Sequence, residues 1–103
     1  MDTDVAVADN PEQQRYEITV DGQVAGWSLY RRRPGLIAFV HTEIEPRFEG
    51  RGLGGRLISA ALDEARADGQ IVLPFCPFVN DYIQRHPQYA DLVPAEYRAR
   101  FGL

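Results

Sequence analysis

The chain has 103 residues, close to the commonest domain size, so one hydrophobic core is expected. Hydrophobic residues make up 45% of the sequence and charged residues 25%, which excludes a disordered or fibrous protein. A formal net charge of −4 argues against nucleic-acid binding. No window reaches the roughly 18 consecutive apolar residues of a membrane span, and residues 1–4 lack the basic and apolar regions of a signal peptide. A soluble cytoplasmic protein is therefore expected.

The small number of histidine and cysteine residues limits the disulfides and metal sites that the chain could form. The sequence has one cysteine, Cys76, and two histidines, His41 and His86. One cysteine cannot form an internal disulfide, and these three side chains are too few for the usual structural zinc sites, so no metal is expected. All 11 basic residues are arginine, so the chain has no side-chain amine of its own.

Residues 1–13 are interpreted as a flexible leader, because they mix acidic and small residues without a clear period. Residues 14–103 are interpreted as a single domain. Alternating apolar residues predict the first three strands, over 15–20, 24–32 and 36–44. Asp21-Gly22 supplies the two residues with positive φ that a tight hairpin requires, so these strands are expected to form an antiparallel meander.

The glycine-rich stretch from Glu49 to Arg56 is followed by a predicted helix that ends near Gly69. Its apolar residues recur at helical spacing and lie on one face: Leu53, Leu57, Ile58, Ala61, Leu62 and Ala65. A short buried strand is predicted over 71–75, and two short helices are predicted over 79–85 and 94–101. The predicted fold is α/β, with a mainly antiparallel sheet of about four strands, a main helix and short C-terminal helices.

The glycine stretch indicates an anion site. Gly50, Gly52 and Gly55 match the spacing of the dinucleotide fingerprint, but that motif needs an acidic residue about 20 positions on, after the second strand of a parallel unit. Here that offset falls near Gln70, so the dinucleotide reading is rejected. A helix N-terminus after flexible glycines still suits a pyrophosphate, and Arg51 and Arg56 add positive charge. The alternative is a plain strand-to-helix turn with two solvated arginines.

The order of strand, glycine-rich loop, amphipathic helix and strand resembles the Gcn5-related N-acetyltransferase superfamily. Its pyrophosphate motif is Arg/Gln-x-x-Gly-x-Gly/Ala, and residues 49–54 match it except that Glu49 stands at the first position. A closer resemblance covers about residues 14–93, to the small, cysteine-containing YjdJ-type acetyltransferase-like family. The motifs that carry it are His41-Thr42-Glu43-Ile44, Cys76-Pro77-Phe78-Val79, Tyr82-Ile83 and Arg85-His86-Pro87-x-Tyr89-x-Asp91-Leu92-Val93.

This resemblance implies that acetyl-coenzyme A binds, with its pantetheine arm between the strands that end near Ile44 and Phe75. It also implies that the N-terminal helices of larger relatives are absent. The residues expected to bind the donor are Ile44, Gly50, Arg51, Gly52, Leu53, Gly54, Gly55 and Arg56.

Three residues are candidate catalytic groups. Cys76 follows a strand and precedes a predicted helix, where a thiolate would be stabilised, and the resemblance implies that it lies near the thioester; alternatively it is a small buried hydrophobe. His41 and Glu43 are two apart on a strand and share a face, so either could act as the base that deprotonates an amine. Tyr82 is a lesser candidate for protonating the leaving thiolate, and packing is the simpler interpretation.

The predicted function is an acetyl-coenzyme A-dependent N-acetyltransferase. The acceptor is expected to be a small-molecule or protein amine, with no nucleic acid or membrane partner, and the protein is expected to be a monomer. Transfer is either direct or through acetylated Cys76. The alternative function is a non-catalytic acyl-coenzyme A-binding or protein-interaction module on the same fold.

Overall fold

The structure is a computed structural model and describes residues 4–103. Its elements in chain order are β1 (Val5–Asn10), β2 (Arg15–Val20), β3 (Gln23–Arg33), β4 (Leu36–Ile44), α1 (Leu53–Ala67), β5 (Ile71–Pro74), α2 (Pro77–Arg85) and α3 (Ala95–Phe101). Two short 3₁₀ helices cover Pro46–Phe48 and Pro87–Leu92. The mixed α/β class with a mainly antiparallel sheet, a main helix after the glycine loop and short C-terminal helices is confirmed.

The five strands form one sheet in the order β1-β2-β3-β4-β5. The first four are antiparallel neighbours, and β5 pairs with β4 in parallel. The predicted hairpin is confirmed, since Asp21 and Gly22 have φ values of 51° and 82°. Helix α1 makes the crossover that a parallel pair requires. As a result β4 is an interior strand with the glycine-rich loop at its C-terminal end.

The sheet has five strands rather than the four predicted, because β1 lies within the segment predicted as a leader. It pairs with β2 from Val5↔Val20 to Asn10↔Arg15. The leader prediction is therefore wrong for residues 5–10, and its first three residues lie outside the described part of the chain. Val5 and Val7 alternate with alanines and pack against the core, which is the period-two signal of a strand.

A polar network fixes β1 to the neighbouring strands. The Tyr30 hydroxyl donates to Asp9 Oδ1 at 2.5 Å, and Arg32 donates to Asp9 Oδ2 at 3.2 Å and to the Tyr16 hydroxyl at 3.2 Å. Both tyrosine side chains are buried. Each buried polar group thus has a partner, which keeps the desolvation cost of the network low. Arg32 therefore has a structural role, because it joins Asp9 of β1 to Tyr16 of β2.

Alkaline pH is expected to weaken the fold through this network. Burial raises the pKa of Tyr16 to about 12, and burial followed by the hydrogen bond to Asp9 also raises the pKa of Tyr30. An unfolded tyrosine ionises near pH 10, so the unfolded state loses protons first and the free energy of unfolding falls as the pH rises from about 10 to about 12. Urea denaturation across this range measures the decline. A flat profile would contradict the account, and Tyr16→Phe is expected to reduce the slope.

Helix α1 covers one face of the sheet and begins where the donor site is predicted. The six predicted apolar residues of its stripe are all buried: Leu53, Leu57, Ile58, Ala61, Leu62 and Ala65. They pack against the buried side chains of β2, β4 and β5 in one continuous core. Helix α2 packs beside α1 through Val79 and Ile83, both fully buried. This packing fixes the first turn of α1 relative to the end of β4.

Candidate active site

The loop before α1 presents unpaired backbone amides. Gly50 and Gly52 have φ values of 80° and 73°, a backbone conformation that other residues rarely adopt. Gly52 caps α1 without any side-chain hydrogen bond, and the first turn has no acidic residue. The first helical hydrogen bond of α1 runs from the Arg56 amide to the Gly52 carbonyl at 3.3 Å. The amides of residues 53–55 are therefore free to bind an anion.

Two arginines stand at this loop. Arg51 and Arg56 are both exposed, and the Arg51 guanidinium lies 5.4 Å from the centre of the buried Phe48 ring. The guanidinium of Arg47 lies over the same ring at 4.6 Å. Neither Arg51 nor Arg56 has an ion-pair partner among residues 4–103. The loop thus combines free amides with unpaired positive charge, which suits a phosphate group.

Strands β4 and β5 separate next to the loop. Their pairing runs from Leu36↔Ile71 to Phe39↔Pro74, and the Cys76 amide then donates to the Phe39 carbonyl at 2.8 Å. Beyond this bond β4 continues to Ile44, whereas the chain after β5 turns into α2. Among residues 4–103, no strand pairs with the β5 side of residues 41–44. An extended ligand could lie along this edge.

A cavity of about 250 Å³ lies where this edge meets the glycine loop. It is lined by Ile44, Phe48, Glu49, Gly50, Gly52, Leu53, Gly54, Gly55 and Phe78. Six of the eight residues predicted to bind the donor line this cavity, so the loop, the N-terminus of α1 and the cavity form one site. Glu49 lines this cavity and is exposed. A carboxylate therefore stands at the motif position where arginine or glutamine is usual.

Sequence reasoning did not identify Phe78 or Phe48 as residues of this cavity. Phe78 belongs to the Cys76-Pro77-Phe78-Val79 motif, and it remains 44% exposed although it sits beside the core. Its ring contacts Gly54, where an added Cβ would lie 2.6 Å from Cζ. The exposure of this large aromatic side chain next to the glycine loop identifies Phe78 as a residue of the cavity. That exposure can be seen only in the folded structure.

Cys76 directly precedes α2 and is 3% exposed. Its Sγ donates to Thr42 Oγ1 at 3.4 Å, and Thr42 Oγ1 lies 2.9 Å from the hydroxyl of the buried Ser28. The thiol is therefore part of a small polar chain between β3, β4 and the start of α2. This arrangement engages the thiol in the protein interior rather than exposing it as a nucleophile.

His41 and Glu43 flank Thr42 on β4 and are both exposed. Because side chains alternate along a strand, they share the face opposite the one from which Thr42 reaches Cys76. The structure thus keeps His41 and Glu43 together but separates their side chains from the thiol. A register shift lies beside His41, since Leu29 pairs with His41 and Tyr30 with Phe39, leaving Val40 as an extra residue.

Glu43 also lines a second cavity, of about 400 Å³, beside the end of β4. The residues of this cavity are Trp27, Thr42, Glu43, Ile44, Glu45, Pro46 and Glu49. Ile44 and Glu49 line both cavities, so the second one adjoins the glycine loop. Its three glutamates make it unfavourable for an anion.

Tyr82, the lesser catalytic candidate, packs between α2 and α1. Tyr82 stacks on His86 with ring centres 4.0 Å apart, and an added Cβ at Gly55 would lie 3.6 Å from Tyr82 Cε2. The tyrosine therefore packs α2 against the first turn of α1.

Within residues 4–103 there is no cluster of three or more metal-ligating side chains. In the same part of the chain, no helix is both long and apolar enough to cross a membrane.

Residues 15–92 match the family model described as GCN5-related N-acetyl-transferase. The match covers most of the chain, so the protein belongs to this family. The resemblance inferred from the sequence is confirmed at this level.

The fold comparison agrees with the family. The NMR solution structure of a GCN5-like protein from Staphylococcus aureus matches with a TM-score of 0.65, covering 85% of this chain and 86% of that chain at 19% identity. A mycothiol acetyltransferase from Segniliparus rotundus is 39% identical over 57 residues, which are 54% of this chain. The matched part is 22% of that enzyme's length, so the chain spans only a fraction of this relative.

Proposed function

We propose that the protein is an acetyl-coenzyme A-dependent N-acetyltransferase whose catalytic domain covers residues 14–103 together with strand β1. The observation that carries the proposal is the junction of the glycine-rich loop, the free N-terminus of α1 and the cleft between β4 and β5. Family membership supports acetyl transfer as the reaction. We further propose that it belongs to the small YjdJ-type group, acts in the cytoplasm as a monomer, and acetylates a small-molecule or protein amine.

The residues present fit the donor. Gly50 and Gly52 have open space where a Cβ would lie, so a pyrophosphate could approach the backbone there and accept from the amides of residues 53–55. Arg51 and Arg56 would balance its charge. Ile44 and the free edge of β4 would hold the pantetheine arm. Acetyl-coenzyme A supplies an acetyl group activated as a thioester, and the protein's part is to hold it and to manage protons.

An amine with a pKa of about 10 is protonated at pH 7 and must lose its proton before it can attack. His41 is the better of the two candidate bases. The family resemblance implies that the thioester lies near Cys76, whose amide donates to the Phe39 carbonyl. His41 is two residues from Phe39, whereas Glu43 lies nearer the glycine loop. Histidine is also the side chain that most often serves as a general base. Glu43, on the same face, would stabilise the imidazolium that forms.

Direct transfer to the amine fits the buried thiol better than a covalent route through Cys76. Cys76→Ala is accordingly expected to keep kcat within about threefold, because the substitution removes only a weak hydrogen bond to Thr42. Circular dichroism checks that the variant is folded. A loss of 100-fold or more in a folded variant would favour the covalent route.

Mass spectrometry provides an independent check of that route. The chain contains no lysine, so an acetyl group added to the protein is expected on Cys76 or on the N-terminal amine, and peptide mapping separates the two. Direct transfer predicts no acetylated protein after incubation with acetyl-coenzyme A alone.

The proposed function is tested by the release of free coenzyme A from acetyl-coenzyme A in the presence of a panel of amines. Release that depends on both protein and amine supports the proposal. Donor binding without release for any amine would instead favour the non-catalytic acyl-coenzyme A-binding module.

A further inference from the structure

We infer that Phe78 is a donor-binding residue that closes the cleft over the pantetheine arm of acetyl-coenzyme A. This inference rests on the proposed function and adds a residue that the glycine motif does not contain. The ring of Phe78, from the first turn of α2, lines the same cavity as Ile44 of β4. Both side chains are apolar, so the cavity has an apolar contribution from each of these two elements.

Gly54 gives the first argument for this role. Its φ is not in the left-handed region, so no backbone constraint requires glycine there, and glycine is less favourable than alanine inside a helix. The space above Gly54 is filled by the tip of the Phe78 ring, with Cζ 2.6 Å and both Cε atoms 3.3 Å from an ideal Cβ. Gly54 thus lets the ring enter the cleft, whereas Gly50 and Gly52 shape the loop.

The exposure of Phe78 gives the second argument. A ring that served only core packing would be buried, yet this side chain is 44% exposed and its open face borders the cavity. The cavity around it is lined mainly by apolar side chains and glycines. An aliphatic arm lying along residues 41–44 of β4 would bury the open face of the ring, and burial of that apolar area favours binding.

The glycine loop and Phe78 therefore recognise different parts of the donor. The free amides, Arg51 and Arg56 would bind the pyrophosphate, and Phe78 and Ile44 would bind the arm. The Kd of a ligand that carries the pyrophosphate but lacks the arm, such as ADP, should therefore depend little on Phe78. This difference separates the inference from the proposed function.

The test is calorimetric binding of acetyl-coenzyme A and NMR titration of ADP to the whole chain. Phe78→Ala is expected to raise the Kd for acetyl-coenzyme A about tenfold and to leave the Kd for ADP within twofold. Phe78→Leu, which keeps an apolar side chain, should restore part of the loss. Phe75→Ala is the matched control, because Phe75 is 52% exposed, packs on Phe101 and does not line this cavity.

Gly54→Ala provides a second variant that acts through the ring. The added methyl displaces Phe78, so its effect on the Kd for acetyl-coenzyme A should disappear in the Phe78→Ala background. An unchanged Kd for acetyl-coenzyme A in Phe78→Ala, or an equal loss for both ligands, would overturn the inference while leaving the donor assignment intact. Failure of the unmodified protein to bind either ligand would overturn the proposed function itself.

Discussion

Replacement of His41 by glutamine is expected to lower kcat about 100-fold or more, since general-base catalysis typically contributes 10²- to 10⁴-fold. Glutamine keeps the size and polarity of the side chain but cannot take up the amine proton. Because His41 is exposed and does not line the glycine-loop cavity, the Kd for acetyl-coenzyme A should be unchanged. Steady-state kinetics at saturating donor and calorimetric binding measure the two quantities.

Glu43→Gln is the comparison that decides between the two bases on β4. The structure puts both side chains on one face, and we expect the glutamate variant to lose only about fivefold in kcat, through weaker stabilisation of the imidazolium. The assignment of His41 would be wrong if Glu43→Gln lost 100-fold while His41→Gln kept nearly full activity.

Reversal of the two loop charges, in Arg51→Glu/Arg56→Glu, is expected to raise the Kd for acetyl-coenzyme A about 100-fold at low salt. Each reversal replaces an attraction to the pyrophosphate by a repulsion at a loop where both arginines are unpaired among the described residues. The effect should shrink as salt is added, because the site is open to solvent. Calorimetry at low and high ionic strength measures it.

A control with the same change in net charge is available at two arginines that do not line the glycine-loop cavity. Arg33, at the end of β3, and Arg100, in α3, are both exposed, so Arg33→Glu/Arg100→Glu should leave the Kd nearly unchanged. An equal loss of affinity in both double variants would mean that overall charge, rather than the loop, governs donor binding.

The sequence predicts best the parts of the fold that local patterns determine. The apolar stripe of α1 and the hairpin at Asp21-Gly22 follow from spacing and turn chemistry within a few residues, and both appear in the structure as predicted. The period-two signal of strand β1 rests on Val5 and Val7 alone, so the local pattern is weak and the strand depends on distant partners. Tyr30, which donates to Asp9, lies 21 positions along the chain.

The same limit applies to the candidate site. The glycine loop could be identified from sequence, because its residues are adjacent and their chemistry is local. The contact between Cys76 and Thr42 joins positions 34 apart, so the burial of the thiol could not be predicted from its neighbours. The contact of Phe78 with Gly54 also depends on how α2 packs against α1, and no local pattern contains that information.

Amide NMR spectra of isotope-labelled protein show whether the glycine loop and the end of β4 hold the donor. Titration with acetyl-coenzyme A is expected to shift the amides of Gly50, residues 52–55 and Ile44 in a saturable manner, while the hairpin amides at Asp21 and Gly22 stay unchanged. Saturable shifts centred elsewhere, or no shifts at millimolar donor, would contradict the account.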